Sequence, residues 1–452
     1  MASLDATVVN VALPRIARDL DAGVSGLQWV LTGYLLSLAS LILLGGALGD
    51  RFGRRRVFII GTVWFAAASA LCGAAPNITV LVAARVLQGV GGALLTPGSL
   101  AIIQASFREQ DRAAAVGAWS GLLGVAGAIG PFIGGALVDG PGWRWAFLLN
   151  VPLAALTIVL TLRSVPESRD EHSRQHLDVT GCVYGVIGLA GATWALTERL
   201  VIPGVIGLAA MAAFVLHIMR VPSPLVPPQL FRNRTFTVIN LMTVQLYAAI
   251  GVAFFLVAYE LQVAATWSAL ASGTALLPTT LLMIVLSARS GALGQRIGPR
   301  LQLTAGPVLA AVGLLLLARI GAHPSWLRDV LPGSLVFGLG LVTFVAPLTA
   351  TVMAAADPDH VSVASGVNNA VARTASLGAI ALVPVLAGLT DASGSGEITH
   401  AFRVAVVIAA GLTASAAITA VVGLQRNVRC AHTARRVHCH LDGPPLQVRL
   451  HA

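Results

Sequence analysis

The sequence predicts an all-α polytopic membrane protein built of two helical bundles, and three observations carry that prediction. Hydrophobic residues make up 56% of the 452-residue chain and charged residues 11%, with a mean hydropathy of +0.82, whereas soluble domains carry about 25% charged residues. Thirteen apolar runs are long enough to cross a bilayer, which takes about 20 apolar residues per helix. A ten-residue segment also recurs 245 residues further along, at 46–55 and 291–300.

In chain order the runs are 27–48, 57–75, 79–104, 113–138, 146–162, 177–197, 202–219, 235–259, 268–288, 301–320, 330–353, 363–388 and 400–424. Turn-forming clusters separate them, among them Ala75-Pro76-Asn77, Gly140-Pro141-Gly142, Pro222-Ser223-Pro224 and Asp357-Pro358-Asp359. Residues 1–13 are apolar but too short to span a hydrocarbon core about 30 Å thick. They lack the basic start and cleavage site of a signal peptide and read as the second half of a first helix whose beginning is missing.

All 29 basic residues are arginine, and their distribution sets the orientation. One set of loops, with the C-terminal tail, holds 20 of them and the opposite loops and helix edges hold seven. The first set is therefore cytoplasmic, and Pro14 lies outside. The net charge of +10 does not indicate nucleic acid, because the arginines are scattered rather than gathered on a soluble basic face. Cys72 and Cys182 lie in apolar runs, and Cys430 and Cys439 in the tail with no zinc-ligand spacing, so neither a disulfide framework nor a metal site is expected. An enzyme would require a nucleophile, metal cluster or cofactor loop, and the sequence offers no such set; no cofactor is expected.

The repeat sets the architecture. Gly46-Ala-Leu-Gly-Asp-Arg-Phe-Gly-Arg-Arg55 returns as Gly291-Ala-Leu-Gly-Gln-Arg-Ile-Gly-Pro-Arg300, with seven of ten positions identical. Two parallel homologous halves are a transporter plan with the substrate path at their interface. The offset exceeds what six spans need, and two additional helices near 177–197 and 202–219 account for the excess. The expected organisation is an N-terminal bundle at 1–163, an additional helix pair at 177–220, a C-terminal bundle at 235–424 and a basic cytoplasmic tail at 425–452.

Four motifs resemble those of a known family. Gly46-x-Leu48-x-Asp50-Arg51-x-Gly53-Arg54-Arg55 is similar to the loop signature of the major facilitator superfamily, and Leu81-x-x-x-Arg85-x-x-Gln88-Gly89-x-Gly91-Gly92-Ala93 to its fourth-helix motif. Gly117, Gly130-Pro131 and Gly134-Gly135 resemble its antiporter motif, with Ala126 where that pattern has glycine. Leu4-Asp5 through Pro14, and Trp143-Arg144-Trp145 with Phe147 and Asn150-Val151-Pro152, resemble the 14-helix drug:proton antiporter branch. The resemblance runs from residue 1 to about 424. It implies two six-helix bundles plus two central helices, and a monomeric exporter of small amphipathic molecules in the bacterial cell membrane, driven by protons. An uptake symporter is the alternative.

The residues themselves support particular roles. Asp5, beside Thr7 and Asn10 in an apolar helix, is the best candidate for a proton-carrying acid. Arg85 lies seven residues into a span, where a guanidinium costs ~2.5–3.5 kcal/mol on insertion scales, so it faces a polar partner unless it snorkels to the outer interface. The resemblance implies proton coupling there. Asp50, followed by Arg51, Arg54 and Arg55 between Gly46 and Gly53, reads as a conformational latch pairing across helix ends. Gly130, Pro131, Gly134 and Gly135, with Gly117, read as a hinge where helices approach closely. Glu260 and Glu198 read as acids anchored at the interface more readily than as proton carriers. Arg373, near Asn368 and Asn369, is either functional or an interfacial charge near the cytoplasmic end. Trp29, Tyr34, Trp119, Tyr247 and Phe254 could line a cavity.

Overall fold

Among the described residues, the apolar runs fold as helices close to their expected positions. They are α1 (Ala2–Asp19), α2 (Val24–Phe52), α3 (Arg54–Gly73), α4 (Ile78–Ser106), α5 (Ile129–Asp139), α6 (Arg144–Leu148), α7 (Asn150–Ser164), α8 (Val179–Glu198) and α9 (Val201–Ile218). After a short 3₁₀ turn come α10 (Arg234–Val263), α11 (Ala269–Gly273), α12 (Leu277–Ile297), α13 (Pro299–Leu317), α14 (Leu331–Ala354), α15 (Val361–Leu386) and α16 (Ser395–Gly423). The structure is a computed structural model that describes residues 1–106, 126, 129–169, 178–221, 224, 226–321, 323–356, 361–392 and 394–424. Among these, twelve helical stretches are long and apolar enough to cross a membrane. Of the expected run 113–138, residue 126 and the part that forms α5 are described; Gly117, Trp119 and the tail from 425 lie outside the described residues.

The first helix differs from the expectation. It does not end at Pro14 but continues through it to Asp19, giving 18 residues. A proline removes one backbone bond and does not forbid helix on either side, and Arg18 in the last turn complements the helix dipole.

Local chemistry sets the boundaries. In both copies of the repeated loop a glycine closes one long helix and opens the next. Gly53, between α2 and α3, has φ +108°, and Gly298, between α12 and α13, has φ +85°. Side chains with a Cβ rarely adopt that conformation. Asp178 caps α8 by accepting from Gly181 N at 2.8 Å, and Asn233 caps α10 by accepting from Thr235 N at 2.9 Å.

The repeat extends into the packing. A Cβ on Gly61 of α3 would lie 2.7 Å from Leu94 Cβ on α4, and one on Gly306 of α13 would lie 2.9 Å from Phe344 Cβ on α14. Gly91 faces the backbone of Phe65 in the first half as Gly340 faces that of Ala310 in the second. Gly61 and Gly306, like Phe65 and Ala310, share the 245-residue offset of the loop repeat. With no hydrophobic drive between helices in lipid, such close backbone approach is how they associate.

Helices α1–α7 and α10–α16 form two groups, and α8 packs against both α2 and α15. Helix α9 turns most of its surface outward, with Val201 78% and Leu208 72% exposed, as suits contact with lipid. Among the described residues, the side-chain hydrogen bonds between the two groups cluster at the end that the arginine census places outside. Asp139 accepts from Ala269 N and Leu270 N at 3.2 and 2.9 Å, Gln262 Nε2 donates to Val11 O at 2.9 Å, and Gln28 Nε2 donates to Ile380 O at 2.8 Å. The molecule is closed at that end.

Candidate functional site

A cluster of buried polar side chains lies where α1, α3, α4 and α7 meet. Helix α1 supplies Asp5, α3 Ser69, α4 Arg85 and Gln88, and α7 Asn150; each is at most 1% exposed. Arg85 and Gln88 stand three residues apart on one helix, so both side chains face the same neighbour.

Arg85 Nη1 donates to Asp5 Oδ2 at 2.7 Å and to Gln88 Oε1 at 2.6 Å, while its Nε donates to Val30 O on α2 at 3.0 Å. Asp5 Oδ1 accepts from Gln88 Nε2 and from Asn150 Nδ2, both at 2.9 Å. Ser69 Oγ accepts from the same two amides at 3.1 and 3.0 Å and donates to Phe147 O at 2.9 Å. The guanidinium carbon lies 4.3 Å from the centre of the Tyr34 ring and 5.7 Å from that of Phe147, so aromatic faces enclose the cation. One nitrogen, Arg85 Nη2, is buried without a hydrogen-bond partner among the described residues.

Three consequences follow. Arg85 does not snorkel: its guanidinium points inward onto an acid. Tyr34, 2% exposed, covers Arg85 rather than lining an open cavity. All three groups that bond the Asp5 carboxylate are donors, so an added proton would set a donor against donors and displace at least one contact.

The other sequence-predicted residues are placed as follows. Asp50 pairs with Arg54 across the Gly53 turn, at 2.9 Å from both Nε and Nη2, joining the end of α2 to the start of α3. Arg51 lies over the Phe52 ring at 5.4 Å, and Arg55 Nη2 donates to Leu162 O at 2.9 Å. A Cβ on Gly46 would meet Pro97 at an ordinary 3.6 Å. Gly130 and Gly134 of α5 lie against Thr7 and Val8 of α1. Gly135 and Pro131 lie against Leu270 and Gly273 of α11, so this glycine face touches both groups of helices.

Two expectations are corrected. Glu260 is not anchored at the interface: it is 0% exposed, its Oε1 accepts from Thr399 Oγ1 at 2.6 Å, and its Oε2 has no hydrogen-bond partner among the described residues. Helix α10 runs on to Val263 and turns this face toward α16, which the apolar run ending at 259 did not convey. Arg373 is not near the cytoplasmic end: it stands twelve residues into α15, about 18 Å along at 1.5 Å per residue. It lies within electrostatic reach of Tyr34 and Tyr247.

Sequence reasoning left four participants without roles, and Ser69, a hydroxyl in an apolar run, gave no sign of its place. Gln88 was visible three residues after Arg85, and Asn150 stood in the quoted Asn-Val-Pro segment, but nothing local said that either reached Asp5. Glu167 carried no signal. It follows α7 and accepts from Arg55 N and Arg56 N at 3.1 and 3.2 Å, capping α3 from outside the repeated loop.

Two bundles with repeated internal packing, buried charge in the helical interior and closure at one end define a polytopic membrane transporter. The chain belongs to the Major Facilitator Superfamily, whose family model matches residues 1–379. It is 34% identical to the Methylenomycin A resistance protein of Bacillus subtilis over 86% of this chain and 85% of that one. It is 34% identical to the Puromycin resistance protein pur8 of Streptomyces alboniger over 92% and 87%. The Tetracenomycin C resistance and export protein of Streptomyces glaucescens is 34% identical over 81% and 70%. Among solved structures, a bacterial homologue of the human drug peptide transporters PepT1 and PepT2 superposes with a TM-score of 0.68 at 14% identity, over 95% of this chain and 98% of that one. A bacterial homolog of the human lysosomal transporter Spinster gives 0.65 at 16%, over 94% and 95%. The chain is thus a multi-pass membrane transporter of small molecules, related to drug- and antibiotic-resistance exporters, and not an enzyme.

Proposed function

We propose that this transporter exports amphipathic, antibiotic-like small molecules across the bacterial cell membrane in exchange for protons, acting as a monomer by alternating access. In this reading α8 and α9 are the additional pair of the 14-helix drug:proton antiporter branch, and Asp5 and Arg85 couple the proton to movement. The observation that carries the proposal is the all-donor surrounding of Asp5. A proton arriving there removes the counter-charge of Arg85, which already has one nitrogen unsatisfied, and a buried cation without its partner drives rearrangement. Helix α1 also contacts the glycine face of α5 and, through Val11, Gln262 of α10. A shift of Asp5 relative to Arg85 is therefore felt at the outer closure. Resistance in the names of three relatives, and export in the name of one of them, support the direction of transport.

The test is ethidium flux and proton movement in everted membrane vesicles from cells with and without the gene, with and without a protonophore. The proposal expects protonophore-sensitive uptake into everted vesicles and proton release when drug is added, both lost in Asp5→Asn. Drug-dependent movement that persists unchanged without a proton gradient, or that runs toward the cytoplasm in intact cells, would overturn it.

A further inference from the structure

Helix α8 ends in two adjacent residues that hold opposite bundles. Glu198 Oε1 accepts from Ser25 Oγ at 2.6 Å and from Trp29 Nε1 at 2.9 Å, both on α2. The next residue, Arg199, donates through Nη2 to Thr390 Oγ1 at 2.6 Å and to Asp391 Oδ2 at 2.9 Å, in the turn between α15 and α16. One dipeptide thus ties the N-terminal group of helices to the C-terminal group at the closed end.

The backbone supplies an independent sign. Arg199 has φ +55° and ψ +36°, a left-handed conformation that caps α8 and that glycine adopts far more easily. A long cationic side chain kept in a strained position points to a role for that side chain. The Arg199–Asp391 pair is also half-exposed, at 50% and 68%, so water competes with it and it can open and re-form. The enclosed Asp5–Arg85 pair cannot do so without a larger movement.

We infer that Glu198 and Arg199 form a clasp whose opening is required for the outer end to part, so that α8 sets how readily the transporter reaches its outward-open state. The inference rests on the alternating-access reading above. It gives the α8–α9 hairpin a role in the cycle: a restraint standing outside both bundles and gripping each.

The experiment reads the outer end directly. Gly23 and Gly394 precede α2 and α16, and a Cβ on either meets nothing within 4 Å. Spin labels on Gly23→Cys and Gly394→Cys, with Cys430 and Cys439 replaced by serine and the buried Cys72 and Cys182 left in place, report the separation of the two bundles in detergent. Arg199→Gly removes the guanidinium where glycine is the favoured residue, so the fold is retained. Glu198→Ala removes the acceptor, and Glu198→Gln keeps an oxygen for both donors. Arg199→Gly and Glu198→Ala are each expected to raise the ratio of long to short distances about two- to fivefold, the effect of losing an exposed pair; Glu198→Gln is expected to match the parent. Arg199→Glu should also open the outer end, and adding Asp391→Arg should close it again. Unchanged distances in both Arg199→Gly and Glu198→Ala, or no rescue by the charge swap, would overturn the clasp. No drug or gradient enters this measurement, so gradient-independent or inward drug movement in the vesicle and cell assays, with distances that still respond, would overturn the transport reading and leave the clasp standing.

Discussion

Replacing Asp5 with asparagine tests the central cluster most directly, because the side chain keeps its size and loses only charge and one acceptor. Asp5 receives three bonds at 2.7–2.9 Å, from Arg85 Nη1 on one oxygen and from Gln88 and Asn150 on the other. Asparagine has one acceptor oxygen. If it faces Arg85, its amide confronts two amide donors; if it faces those, its amide confronts a guanidinium. Either way Arg85, fully buried, loses its counter-ion, and breaking a buried pair from one side costs about 3–5 kcal/mol. Arg85→Gln strands the buried Asp5 carboxylate in the same way, with two amide donors left to it, so its cost should be of the same order, about 3–5 kcal/mol. The double substitution removes both charges, so its destabilisation should fall short of the sum by about 2 kcal/mol, within the range for contacting residues. Equilibrium unfolding of the four proteins by titrating sodium dodecyl sulfate into dodecylmaltoside micelles, followed by tryptophan fluorescence, gives the cycle. Additivity within about 0.5 kcal/mol, the behaviour of independent sites, would refute the claim that the two charges act as a unit.

Other positions give separate tests. Gly91→Ala and Gly340→Ala place a methyl against the backbones of Phe65 and Ala310, so each should lose about 1–3 kcal/mol by overpacking; an effect in one half only would argue against equivalent packing. Glu167→Ala removes the acceptor for Arg55 N and Arg56 N and should cost about 1 kcal/mol as a lost cap, whereas Glu167→Gln should cost less; the unfolding midpoint distinguishes them. Gly135→Val forces side-chain atoms toward Leu270, whose amide nitrogen lies 2.8 Å from an added Cβ, so the label separation between positions 23 and 394 should lengthen. An unaltered separation would mean that α5 and α11 do not set the outer closure.

Much of the fold was legible because lipid imposes one rule: backbone polar groups must be satisfied within each segment, so every sufficiently long apolar run becomes a helix. The runs at 57–75, 235–259 and 301–320 accordingly match α3, α10 and α13 within a few residues. The edges were less legible. Arginine and aspartate at the end of α1 look like loop on a hydropathy scale, yet a helix end tolerates them. The site was legible in part: Asp5 and Arg85 stood out as ionisable residues in apolar surroundings, an anomaly that a single sequence displays. Their partners did not stand out, since Ser69, Gln88 and Asn150 are ordinary neutral polar residues. What makes them matter is a meeting of four helices separated by up to 145 residues along the chain. Glu260 misled for the opposite reason: its position near a helix end resembled an interfacial acid, and only the packing of α16 reveals that it is enclosed.

The repeat also shows how the two halves diverged. Carried across by the loop offset, Ser69 of α3 corresponds to Leu314 of α13. Carried across by the pair Gly91 and Gly340, Arg85 and Gln88 of α4 correspond to Ser334 and Phe337 of α14. Leu314, Ser334 and Phe337 are each at most 1% exposed, so the space that holds a charged network in one half is filled in the other by apolar bulk and one hydroxyl bonded to its own helix. The glycine contacts that set the backbone were kept while the polar side chains were not. A helical framework held by backbone approach does not depend on which side chains occupy its interior, so the charged network of the first half has no counterpart at the matching positions of the second, whose own buried acid, Glu260, stands on α10 instead. Alternating access requires the bundles to move relative to one another, not both to change internally. An asymmetric pair, with a charged network joining α1 to α4 in one bundle and with α8 touching both bundles from outside, meets that requirement in the proposed cycle.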